Sequence, residues 1–360
     1  MSSSPSSSLY IFTTSQTSLP PRYPHPSKPR LVLPSLIHRT LHNSLDGDSP
    51  SILSQENGVI VPHPDGLVKH DIPSTSTSSH QDTNPNPNAD PDVRGDVNEV
   101  NGGLGDTSGN YLVDSELTVK LHLVGSAEPD GYIEWIKEGL GMLERYKGLS
   151  REGVDTLLVG FNGVDYKGKK TQVESNSDEM SSSEYIVDGE LERVILDTWR
   201  LLLNQDGGKI VGSNTKLGSL YSPLSLLKQL VDLKKGDKGI RVNALDTPDC
   251  HHLPKEYTGY AKENGVELWA GGGGEGSDPL PSPHLHNLLQ EFAGKLSSMT
   301  GGAVAVDKLE SLIGLAEDGS KFEEGRAGVD VRWVLSYTLV SKTRNVVKDK
   351  GYIVAADFTS

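Results

Sequence analysis

The chain has 360 residues, enough for one large domain or two modest ones. Glycine (39) and proline (21) fill about a sixth of the positions and the hydrophobic fraction is only 34%, so part of the chain lacks the apolar surface that repays ordering entropy. The 34 Lys and Arg against 49 Asp and Glu leave a formal charge of −15, a field that repels phosphate backbones and anionic lipid and argues against nucleic-acid or membrane-surface binding.

Cys250, the single cysteine, excludes a disulfide framework and a Cys-built zinc centre and fits a reducing compartment. No apolar run approaches the ~18–20 residues of a membrane span. The N-terminal MSSSPSSSLYIFTTSQ has no charged segment followed by an apolar one, so it does not read as a secretory signal, and the expected location is the cytoplasm.

Residues 1–72 are rich in Ser and Pro but hold two islands: a strand-like LYIFT at 9–13, and a stretch at 31–45 with Leu33, Ile37, Leu41 and Leu45 near helical spacing. Residues 73–114, with STSTSSHQDTNPNPNADPDVRGDVNEVNGG, read as disordered linker. From about Ser115 strand and helix signals alternate. LTVKLHLVG (117–125) is a strand, GYIEWIKEGLGMLERY (131–146) a helix, and VDTLLVGF (154–161) a buried strand. A polar loop insertion at 167–188 follows. The chain resumes with a helix at 189–204, a strand KIVGSN at 209–214, a helix at 223–233 and a strand at 239–247. A helix at 254–265, a strand at 266–270 and a helix at 284–296 come next, then a helix at 331–341 and a strand-like tail at 345–356.

Strict strand–helix alternation with buried strands demands parallel crossovers, hence an α/β fold. About six βα pairs after residue 115, with the 9–13 island as a displaced first strand, suit an eight-stranded (β/α)8 TIM barrel. The rival is a doubly wound open sheet, which wants a phosphate-binding glycine loop after its first strand. GSAEPDG at 125–131 matches that poorly.

Several collinear segments resemble the aldo-keto reductase barrel: VDTLLVGFN (154–162) its strand 4, KIVGSNT (209–215) its strand 5 and the following turn, RVNALD (241–246) its strand 6, and YAKENGVELWAG (260–271) the run through strand 7. A non-reductase branch is closer. VLSYTLVSKTRNVVKDKGYIVAA (334–356) resembles the C-terminal signature of the regulatory (modifier) subunits of glutamate–cysteine ligase, and SLYIFTTSQ (8–16) and KLHLV (120–124) resemble their early segments. The likeness covers roughly residues 8–45 and 116–360. It implies an aldo-keto reductase-like barrel that is not itself an enzyme. Such a chain pairs in a heterodimer with the catalytic subunit of the ligase, raises its glutamate affinity and relieves feedback inhibition by glutathione.

The reductase chemistry needs a Tyr acid, a Lys that lowers its pKa, an Asp orienting the Lys and a carbonyl-positioning His. By the resemblance, the His falls at Gly160, the Lys near Gly125–Ser126, the nicotinamide-facing Gln at Ala244 and the stacking Tyr at Gly271. Only Ser213 and Asn214 keep the residue types that hold a carboxamide, so they are vestigial cofactor-binding candidates, and no catalytic residue and no cofactor are expected. The reading favoured for Ser213–Asn214 is a plain turn after the strand. The alternative function is an NADPH-dependent aldo-keto reductase with a divergent site.

Cys250-His251-His252 reads as a loop, because three adjacent residues cannot converge on one ion; no metal is expected, and Cys250 stays a candidate redox residue. Gly271–Gly274 reads as a loop, and His284 and His286 as surface. Lys342, Arg344, Lys348 and Lys350 form a basic cluster in an acidic chain. With Tyr352 they are the candidates for contacting an acidic patch on the partner, or a solvated edge. Trp333, Tyr337 and Tyr352 read as packing residues.

Overall fold

A computed structural model describes residues 8–13, 32–46, 51–55, 58–70, 114–164, 187–204, 210–233, 238–245, 253–270, 276–300, 309, 328–343 and 346–359. The expected linker lies outside these residues except for Asp114, and the 167–188 insertion except for its last two. Cys250, His251, His252, Gly271–Gly274 and Arg344 also lie outside them.

The N-terminal islands form β1 (Ser8–Phe12) and α1 (Leu33–Leu45), followed by short β2 (Leu53–Gln55) and β3 (Gly58–Val61). Then come β4 (Ser115–Leu123), α2 (Pro129–Lys147), β5 (Thr156–Phe161), α3 (Gly189–Asn204), β6 (Lys216–Leu220), α4 (Leu224–Asp232) and β7 (Ile240–Leu245). After these follow α5 (Lys255–Glu263), β8 (Glu267–Ala270), α6 (Ser282–Glu291), α7 (Ala293–Thr300), β9 (Val329–Ser341) and β10 (Val347–Phe358). The architecture is mixed α/β. Among the described residues, ten strands share one sheet in the order β2-β3-β1-β10-β9-β4-β5-β6-β7-β8.

β4 to β8 are parallel neighbours joined through α2, α3, α4 and α5. β9 runs antiparallel to β4, and β10 antiparallel to β9; β1 is antiparallel to β10. Two sequence expectations are corrected here. Residues 331–341 are strand, not helix: Trp333, Leu335, Tyr337 and Leu339 are buried in one core at a period of two, and β-branched and aromatic residues fit a pleated surface. The strand expected at 209–214 lies instead at 216–220, and 210–215 form the turn before it.

Leu117, Val119, Leu121 and Leu123 alternate onto one face of β4, which packs with Leu157, Val159, Leu335 and Ile353 against α2 to α5. The opposite face of β1, β3, β9 and β10 is covered by α1, α6 and α7 through Leu33, Ile37, Leu41, Leu285, Leu289 and Leu296. The N-terminal segment is thus part of the same sheet and of its second core.

α2 opens with Pro129, whose missing N–H costs nothing in a first turn, and closes at Gly148 with φ 68. A Cβ at Gly148 would also overlap the His70 carbonyl oxygen, and the His70 N–H donates to the Lys147 carbonyl at 2.8 Å. Gly148→Ala is therefore expected to lower stability by at least about 1–2 kcal/mol, the cost of a left-handed non-glycine residue, read as a lower urea midpoint with unchanged slope.

Candidate functional site

Three places in the sheet carry chemistry. The first is the C-terminal end of the parallel strands, where α/β folds bind ligands. Gly160 in β5 pairs with His122 in β4, and a Cβ on it would stand 2.9 Å from the Leu220 Cβ; the glycine accommodates Leu220 rather than a substrate. Ala244 is buried in the same small apolar cluster as Leu158, Leu220 and Val242. At Gly125, Trp135 and the Val331 carbonyl fill the space a side chain would take.

His122, which the sequence did not single out, is buried there with neither ring nitrogen hydrogen-bonded, and the Tyr221 ring lies 5.9 Å from it between centroids. Burial, and then the charge of Lys120, push its pKa down to about 3, so the imidazole is neutral at physiological pH. It offers one donor and one acceptor and no charge.

The second place is the face of β4, β9 and β10 that continues from His122 toward the start of β4. Register fixes its composition row by row: His122, Val334 and Val354; then Lys120, Ser336 and Tyr352; then Thr118, Thr338 and Lys350. The first row is buried. The next two are partly or fully exposed, so a core face turns into a polar, cationic strip three strands wide. Of the residues expected to meet a partner, Lys350 and Tyr352 lie on this strip, and Tyr352 also packs against the second core. Lys342 lies 3.6 Å from Asp155, and Lys348 donates to the Ser115 hydroxyl at 2.8 Å, so both are engaged by their own chain at the hairpin end. Lys120, Ser336, Thr118 and Thr338 join them only through strand register. Trp333 and Tyr337 are buried on the opposite face.

Behind the strip, on the helix-covered face, Asp349 anchors a buried ionic cluster. His70 Nε2 lies 2.8 Å and Lys147 Nζ 3.0 Å from Asp349 Oδ2, and the Tyr337 hydroxyl donates to it at 3.1 Å. The three ionisable side chains that surround the carboxylate oxygen come from the end of the N-terminal segment, the end of α2 and β9. Burial alone would raise the Asp349 carboxyl. The His70 hydrogen bond and the Lys147 ammonium override it and hold it well below the usual carboxylate range. Burial, and then Asp349 itself, push Tyr337 far up, so its phenol stays protonated as a donor.

No family model, curated protein or solved structure matches this chain.

The third place is a cavity of about 450 Å³ at the N-terminal ends of β6, β7 and β8. Ser213 and Asn214 line it. They stand exposed in the turn ahead of β6, at the opposite strand end from the one a carboxamide-holding pair after a fifth barrel strand would occupy. The residue that follows β6 is Tyr221, with φ 59, and Ser222 beyond it joins a buried network. There Asn243 accepts from the Ser219 hydroxyl at 2.9 Å and donates to the Ser222 carbonyl at 3.0 Å, and the Tyr257 hydroxyl donates to the same carbonyl at 2.8 Å. This network ties β6, β7 and α5 together. Among the described residues, no group of three or more His, Cys, Asp or Glu could hold a metal ion, and no helix is long and apolar enough to cross a membrane.

Proposed function

We propose that this protein is a non-catalytic regulatory subunit of glutamate–cysteine ligase, a cytoplasmic chain that needs no cofactor of its own and forms a heterodimer with the catalytic subunit. The observation that carries the reading is the exposed polar strip on β4, β9 and β10. It coincides with the segment 334–356 where the family resemblance is densest, and it displays Lys120, Lys350 and Tyr352 in a chain of net charge −15. A cationic strip with a half-exposed tyrosine suits an acidic patch on a partner. The buried packing of Gly160, Leu220 and Ala244, where a reductase would hold substrate and nicotinamide, supports a binding role over carbonyl reduction.

The same reading takes the sheet as an aldo-keto reductase-like (β/α)8 barrel in which β4 to β8 are consecutive parallel strands. The unbroken alternation from β4 through α5 to β8 supports it.

A regulator shifts an equilibrium only by binding one state of its partner better than another. The test is titration of the full chain into the catalytic subunit, following γ-glutamylcysteine formation against glutamate with and without glutathione. The expected result at stoichiometric ratio is a fall in apparent glutamate KM of about fivefold or more, with weaker glutathione inhibition. Unchanged kinetics and no complex on a sizing column would sink the reading, and NADPH-dependent carbonyl reduction would put the reductase in its place.

A further inference from the structure

We infer that the cavity at the N-terminal ends of β6, β7 and β8 is a binding site for a small organic anion with an apolar body, separate from the partner strip and from the opposite strand ends. Its volume of about 450 Å³ is in the range of small-molecule pockets. Among the described residues that line it, the charged ones are Lys216, Lys238, Arg241 and Glu267, three cationic side chains to one carboxylate in a strongly acidic chain. Leu203 and Leu217 supply an apolar wall.

A local irregularity of the sheet sets this arrangement. Leu217 pairs with Ile240 but Gly218 pairs with Val242, so Arg241 is the extra residue of a β-bulge. Bulges re-aim side chains, and this one accompanies the placing of Arg241 in the cavity lining, a residue type whose planar fork matches a carboxylate or phosphate. The cavity already holds a model of its ligand's head group. The Glu267 carboxylate accepts from Lys216 Nζ at 2.8 Å and from Trp269 Nε1 at 3.0 Å, and those two hydrogen bonds lower its pKa. Lys216 and Glu267 are 38% and 51% exposed, and exposed ion pairs contribute little, so an incoming anion displaces Glu267 at small cost.

Benzoate and phenyl phosphate, as aryl carboxylate and aryl phosphate probes, would be titrated into the full chain with benzamide as the uncharged control. Intrinsic tryptophan fluorescence, with Trp269 one hydrogen bond from the cavity, and calorimetry give the readout. Saturable binding of at least one anion with Kd of about 1 mM or tighter, and none of benzamide, is expected. Which anion binds more tightly distinguishes a carboxylate from a phosphate ligand. Arg241→Ala is expected to weaken binding about tenfold or more. Glu267→Gln is expected to tighten it about two- to fivefold by removing the competing carboxylate, a gain that misfolding would not mimic. No saturation by either anion at 10-fold higher concentration than that Kd, equal binding of benzamide, or indifference to both substitutions would overturn the site.

Discussion

Asp349→Ala is expected to cost about 3–5 kcal/mol of folding stability, the penalty for leaving a buried charge without its partner. The side chains of His70, Lys147 and Asp349 are 7%, 2% and 4% exposed, so water cannot replace the lost carboxylate. Lys147 is held between that carboxylate and the Tyr337 ring, whose centroid lies 5.5 Å from Nζ, and the ring alone does not offset desolvation of the ammonium. Against a total of about 5–15 kcal/mol for a typical fold, such a loss would leave little native protein at 37 °C.

A double substitution separates the charge from the shape. Asp349→Asn with Lys147→Met removes both charges at similar volume and is expected to recover much of the stability that Asp349→Asn loses, measured as urea midpoints in a double-mutant cycle. The sign of the pH dependence follows from the same cluster. The Asp349 carboxyl is depressed in the folded chain and ordinary, near 4, in the unfolded one. Its contribution is therefore fully present above about pH 4 and is lost as pH falls toward the folded value. Acid unfolding followed by circular dichroism should start at lower urea in this low-pH window, and Asp349→Asn should remove that part of the slope.

This cluster was invisible in the sequence for a simple reason. His70 and Asp349 are 279 positions apart, and nothing local marks either as buried. The α/β class, by contrast, was legible, because strands such as 117–123 and helices such as 131–146 carry their periods in short windows. The period was also present at 333–339, but the regular alternation of the preceding elements points to a helix there. The βα scheme overrode a clear two-residue repeat. The slip at β6 has another cause. KIVGSN and KLGSL are both short apolar runs broken by glycine, and long-range backbone contacts separate them: Gly212 lets the turn pass close to the Glu152 carbonyl, and Gly218 lets β6 approach the Val242 carbonyl. For the strip, only Lys350 and Tyr352 were legible, as members of the basic cluster and its neighbouring tyrosine. Lys120 was not, since it lies on a strand from another part of the chain and joins Lys350 and Tyr352 only through the register of β4, β9 and β10. The bulge at Arg241 is likewise a property of pairing and not of any residue type.

Reversing charge on the strip tests whether those residues meet a partner. Under the proposed function, Lys120→Glu and Lys350→Glu together are expected to weaken association with the catalytic subunit by about a hundredfold, near tenfold for each charge facing an acidic patch. The loss should fall mainly on the association rate and shrink as salt is raised, because long-range steering is screened within about 10 Å at 0.1 M ionic strength. Lys120 is only partly buried and Lys350 exposed, so stability should change little and the variant should melt with the parent. Lys228→Glu on α4 is the control. It makes half the change in net charge of the double reversal, on a helix, and gives up only an exposed ion pair with Glu256. A field effect of the whole molecule would weaken binding in this control as well, whereas a contact on β4, β9 and β10 would leave it unaffected. If the double reversal binds and activates like the parent, the strip is not the interface and that face has only a solvating role. If it alone fails, the sheet face that links the densest family resemblance to Lys120 and Lys350 is the partner-binding surface of the proposed regulatory subunit.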